Sequence, residues 1–411
     1  MPQPFTHYIS AMSAMKSLPD QARGREFWDK YKNFITFGTF SPDLFYTKNL
    51  SPVAKYIMPH APAFIKSIPV TWVPNTFTLI DSVLAFSSWL MIPVKSIYWF
   101  VLRKVFKKKK EYEWSLIAER THNHHSFSSF ICMINTAKQS KVEKNLDSEK
   151  QLAFDMGFYA HVITDAIYHP LIYRNAKDHW NTKEFDPEKL HKWLELQIDH
   201  WLSNYTFGVE PDASKISWQC SGDQETTLDS SIRQLLESCL MSHYRGAVSP
   251  EFHASDIDDA YANYYKYVAG LAYSGKYVTH WGRGAIVYGE GITSNSVGDL
   301  FLQKYRLKLE LDNDVIDASV FDLANITKNC LIQTFEAVFA FWDSTKTDAR
   351  SFFIEHYPQL RYLHEDWNLD TGLPAYLNEE SIIQDGRGEL HYKAFVDVLI
   401  ENYRRFAPTQ Q

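Results

Sequence analysis

Apolar residues recur at three- and four-residue spacings through long stretches of the chain, and strand-like alternation is scarce. This periodicity predicts helices over Gln151–Asp165, Pro187–Leu202, Ser230–His243, Ile257–Ala272, Asp314–Trp342 and Leu390–Phe406. A polar tract at Asn204–Asp223, with Gly, Pro and Ser, marks the expected boundary between residues 1–205 and a second helical region, 206–411. No internal repeat is visible. The expected fold is all-α: a helical core in 1–205 with an additional helical C-terminal region.

One segment interrupts the pattern. Phe77–Phe106 is dense in Leu, Ile, Val, Phe and Trp, is split by Pro93, and leads into Arg103, Lys104 and Lys107–Lys110. It forms an apolar and basic insertion at about 69–110. The uncharged window between Asp81 and Lys95 is 13 residues, short of the ~20 needed to span a bilayer. Two readings stay open: short apolar helices lying among lipid headgroups, or a buried hairpin with a solvated lysine tail.

Composition narrows the function classes. The 411 residues are 45% hydrophobic, enough for a sizeable core, and the net charge of −7 gives no overall basic field for nucleic-acid phosphates. Nucleic acid is therefore not an expected partner; protein partners are not legible. Cys132, Cys220, Cys239 and Cys330 show no Cys-x-x-Cys spacing, so any metal site must use His and carboxylates. The N-terminal residues lack a basic region followed by an apolar one, so no cleavable secretion signal is expected. The expected location is the cytoplasm, or outside the cell by another route, with peripheral membrane contact.

Histidine carries the chemistry. Eight of the 16 lie between His122 and His200, and His7 sits near the start. His161, Asp165 and His169 are spaced i, i+4, i+8, and each step of four advances only ~40° around a helix, so they form one stripe. Phe158, Val162, Ile163 and Ile167 surround them with apolar groups that strengthen binding of a divalent cation. His191 and Glu195 repeat the spacing on a second helix, with Asp199 one turn further. The segment holding Pro170, Asp178 and Pro187 is read as the loop between the two helices. One such pair is more often a surface hydrogen bond; two within 35 positions, both amid apolar residues, point to metal ligation. Asp43 follows a Ser-Pro turn among Phe37, Phe40, Phe45 and Tyr46, where a helix cap is the ordinary reading. His122, His124 and His125 offer three imidazoles in four residues.

Taken together and in order, these residues resemble the zinc-dependent phospholipases C, which include the N-terminal catalytic domain of glycosylphosphatidylinositol-specific phospholipase D. The resemblance covers about the first 200 residues. It rests on His7, the Gly-x-x-x-Pro-Asp turn at Gly38–Asp43, one of His122, His124 or His125, the stripe His161, Asp165 and His169, and the pair His191 and Glu195. It implies a phospholipase C or single-strand nuclease-like helical core in 1–205 that holds two or three Zn2+ ions. Asp165 would bridge two ions, one also held by His7, the other by Asp43, His161 and the middle His. His169, His191 and Glu195 would bind the third. Secreted bacterial members add the amino group of an N-terminal Trp, whereas this chain begins with Met1, so the third zinc is weaker, absent, or completed by another group.

The implied activity is hydrolysis of a glycerophospholipid, first of all phosphatidylcholine, to diacylglycerol and a phosphorylated headgroup, with a phospholipid membrane surface as partner. Asp43 would take the proton of the attacking water or simply ligate. Phe37, Phe40, Phe45 and Tyr46 are candidates for a channel receiving a quaternary ammonium. Two other readings exist: a single-strand nuclease-like phosphodiesterase, which needs a base-stacking platform and a positive groove, and a helical interaction protein with structural zinc. Asp43, Asp165 and Glu195 argue against the last, since structural sites use few carboxylates. The stretch Tyr277–Gly284 is either a turn between core helices or a loop near the site.

Overall fold

A computed structural model describes residues 4–49, 125–178, 187–208, 227–243, 255–262, 306–311, 314–360 and 363–369, with parts of 117–122 and 216–221, and 264, 303 and 373–374. The apolar and basic insertion, His124, Tyr277–Gly284 and Leu390–Phe406 lie outside the described residues. Among the described residues the fold is helical, with two short antiparallel strand pairs.

The longest helix is the hub. Helix α1 (Pro4–Lys16), α2 (Gln21–Gly38), α3 (Ser126–Val142), α4 (Ser148–Asp178), α5 (Pro187–Phe207), α6 (Ser230–His243) and α7 (Val320–Asp343) follow in chain order. The other six all pack on α4. That helix is buried around its whole circumference from Gln151 to Ile172, apolar over most of it and carrying His161, Asp165 and His169 as a polar stripe. It also corrects one expectation: Pro170 lies inside α4, which runs on to Asp178. Likewise α5 continues through Asn204 to Phe207, so the polar tract starts within a helix.

Two buried glycines set the closest crossing. A Cβ on Gly157 of α4 would lie 2.0 Å from the Ile35 carbonyl oxygen, and one on Gly38 of α2 would lie 2.2 Å from that of Phe154. Only residues without side chains let these backbones meet. The chain then turns through a 3-10 helix, Ser41–Asn49, which carries Asp43 into the core.

Sequences flanking the helices explain where they begin. Asp20 caps α2 by accepting from the Arg23 amide, and Ser319 with Asp322 forms a reciprocal capping box at α7. The helix expected over Asp314–Trp342 therefore starts only at Val320. Asp314–Ala318 is instead a strand paired antiparallel with Leu307–Leu311, whose Leu-Lys-Leu-Glu-Leu alternation is a strand signal.

Packing is continuous across position 205. Helix α7 lies against α1 and α4, and Lys138 of α3 donates to the carbonyls of Phe341, Trp342 and Ser344 at its C-terminal end. Farther along, Asp366 accepts from the Ser128 amide and hydroxyl at the start of α3, and the Leu369 amide donates to the His122 carbonyl (2.7 Å). Cys132, Cys220, Cys239 and Cys330 form no disulfide with one another.

Candidate metal centre

His161, Asp165 and His169 do form one buried stripe on α4. His7, in the first turns of α1, stacks on His161 with ring centroids 4.1 Å apart, and its Nε2 lies 3.3 Å from Asp165 Oδ1. On the other side of His161, Asp43 Oδ1 lies 3.0 Å from His122 Nε2 and 4.0 Å from His161 Nε2. Two three-residue clusters result: His7, His161 and Asp165, and Asp43, His122 and His161, each with its ligand atoms within 4.8 Å of one another. All five residues are buried.

Two of the three imidazoles, His161 and His122, are held by their far nitrogens. His161 Nδ1 lies 2.8 Å from the Thr39 carbonyl and His122 Nδ1 2.8 Å from the Ala118 carbonyl. A carbonyl only accepts, so each Nδ1 carries a proton and each Nε2 of the neutral ring presents a lone pair to the cluster. Those lone pairs face carboxylate oxygens, with His161 Nε2 2.9 Å from Asp165 Oδ2. Neither Asp165 oxygen nor Asp43 Oδ1 receives a well-directed hydrogen bond, and none reaches solvent. Acceptors converging in this way require a cation among them, and this donor set of imidazoles and carboxylates suits zinc.

Electrostatics agrees. Burial alone would lower the His161 pKa, but the Asp165 and Asp43 carboxylates outweigh it and push it up to about 9. The position thus favours a positive charge. Burial alone would raise the Asp43 pKa, yet the neighbouring His161, and after it the contact with His122, hold it below the usual carboxylate value.

A third grouping is partly in place. His169 Nε2 lies 3.8 Å from Glu195 Oε1 and 3.8 Å from Asp165 Oδ1. His191 is on α5 one turn before Glu195, and its side chain is outside the described ones. Of the three neighbouring histidines, His122 reaches Asp43; His125 is instead the residue preceding α3 and belongs to neither cluster. Asp199 is not in a cluster either: its carboxylate accepts from the Phe5 amide (3.2 Å), the Thr6 amide (2.8 Å) and the Thr6 hydroxyl. Burial raises its pKa to about 7, against those hydrogen bonds and helped by the Glu195 charge. Phe37 and Phe40 pack into the core, on Phe154 and Tyr261 and on Tyr264 respectively.

Sequence reasoning had no access to the Thr39 and Ala118 carbonyls, because every residue carries one. The Gly38–Gly157 contact had a trace, two glycines in otherwise helical stretches.

No curated protein and no solved structure matches the chain. A sequence model of the zinc dependent phospholipase C family matches residues 6–246, more than half of the chain and a span that contains every residue of both clusters. The chain belongs to the zinc-dependent phospholipase C family, a family of phosphodiester hydrolases.

Proposed function

We propose that this enzyme hydrolyses the phosphodiester of a glycerophospholipid, phosphatidylcholine being the first candidate, at a membrane surface. The observation that carries the reading is the pair of buried clusters in which His161 and His122 are locked by their Nδ1 atoms while imidazole nitrogens and carboxylate oxygens converge on one space. Asp165 and His7 would hold one zinc and Asp43, His122 and His161 another. His169, His191 and Glu195 would hold a third. Zinc, when bound, neutralises phosphate charge and lowers the pKa of a water toward ~7.

The chain's own residues do the rest. Asp43, ionised at neutral pH, is the group placed to accept the proton of the attacking water. The Thr39 and Ala118 carbonyls keep His161 and His122 oriented, so no reorganisation is needed when charge develops on the phosphate. In the net reaction a water oxygen bonds to phosphorus, the bond from phosphorus to the glycerol oxygen breaks, and that oxygen leaves protonated. Diacylglycerol and phosphocholine are the products.

The test is incubation with phosphatidylcholine vesicles before chelation, after it and after zinc restoration, with His161→Ala alongside. Phosphocholine and diacylglycerol that vanish on chelation, return with zinc and are absent in the variant are the expected result. Zinc-replete protein that releases neither product, yet cleaves another phosphodiester, would refute the lipid assignment.

A further inference from the structure

We infer that Asp199 is a positioning residue for His7: from α5 its carboxylate clamps the first turn of α1, and so fixes the imidazole that the reading above gives to one zinc. The inference rests on that reading and assigns Asp199 no contact with metal.

Helix α1 needs such a clamp. The first amides of any helix have no partner within it, and the first turn is where helices fray. His7 lies in the second turn at latest, three residues after Pro4. The first turn of α1 contains no acidic residue of its own. Asp199 takes its place across 193 positions of sequence, using Oδ2 for the Phe5 amide and Oδ1 for the Thr6 amide and hydroxyl. A carboxylate at this end is also favoured by the helix dipole. Its effect on His7 follows from scale. One residue of slippage along a helix is about 1.5 Å, whereas metal–ligand bonds tolerate only about ±0.2 Å. Unwinding the turn that begins at Pro4 would carry the His7 ring off its stack on His161 and away from Asp165.

The atoms used make the test graded. Asp199→Ala removes all three hydrogen bonds. In Asp199→Asn the amide oxygen at Oδ1 retains both bonds to Thr6 and loses the one to Phe5. Thr6→Val removes only the hydroxyl bond. Zinc binding to the full chain, measured by chelator competition that resolves each equivalent, should show one zinc weakened about ten-fold or more in Asp199→Ala. The other tight zinc should stay within two-fold, and Asp199→Asn should be intermediate.

A folded Asp199→Ala protein that binds every equivalent as wild type does, or loses all alike, overturns the clamp. Should that variant fail to fold, Asp199→Asn and Thr6→Val decide: selective weakening of one equivalent supports the inference, and unchanged binding in both refutes it. A wild-type chain that takes up no zinc refutes the reading of the site itself.

Discussion

Gly157→Ala is the sharpest test of how the centre is built, because it adds one methyl group where α2 and α4 touch. The new Cβ would sit 2.0 Å from the Ile35 carbonyl oxygen and near the Gly38 Cα at 3.0 Å. An ordinary carbon–oxygen contact is about 3.3 Å, so the helices must part by about 1 Å. Alanine favours the helix over glycine by about 1 kcal/mol. Forcing extra volume into a packed core costs about 1–3 kcal/mol and occasionally more, and the upper end applies because the clash is backbone on backbone. The net expectation is a loss of about 2 kcal/mol. The more telling effect is on zinc. Gly157 is one turn before His161, whose Nδ1 is 2.8 Å from the carbonyl of Thr39, itself next to Gly38. Parting the helices stretches that bond past hydrogen-bonding range, and loss of such an outer partner lowers metal affinity about 10–100-fold. Denaturant unfolding of the metal-free protein and chelator competition measure the two effects separately. Unchanged stability together with unchanged zinc affinity would show that α2 and α4 do not cross at these glycines.

Three further outcomes are expected. Lys138→Met removes the ammonium that donates to the Phe341, Trp342 and Ser344 carbonyls, at a cost of about 1.5–3 kcal/mol in denaturant unfolding; Lys141, which also reaches Trp342, places the value toward the lower end. Burial, and secondarily Cys132, pushes the Asp155 pKa well above the usual carboxylate value, so the native state keeps a proton that the unfolded chain releases above about pH 4. Stability contributed at this position therefore falls as pH rises beyond that point, and Asp155→Asn should flatten the decline in Tm from pH 5 to pH 8; a parallel decline would refute it. Asp366→Ala, which strips the Ser128 amide and hydroxyl of their acceptor, should weaken the zinc held through His122 while leaving that held through His7.

How much of this was legible in the sequence depends on the range of the interaction involved. The stripe His161, Asp165 and His169 was readable because helical periodicity is local, and the burial of its neighbours followed from their side chains. The choice of His122 over His125 was not. It depends on where the chain enters α3, which is fixed by Asp366 and Leu369 some 240 positions away. Asp199 had the same spacing signature as Glu195, and only the arrival of the α1 amides distinguishes a clamp from a ligand. The strand at Asp314–Ala318 was hidden because Val315 and Ile316 fit either period; the capping box at Ser319 was the local sign that the helix starts later.

The tie between Leu369 and His122 has a consequence in time. A ribosome adding about 5–20 residues per second needs roughly 10–40 s to travel from Asp165 to Leu369. Throughout that interval the segment bearing His122 lacks its last anchor, although every ligand of the two clusters has already been added to the chain. Zinc capture is thereby tied to the completion of this stretch of polypeptide, and a chain halted before Leu369 would carry the ligands without the means to keep them in register.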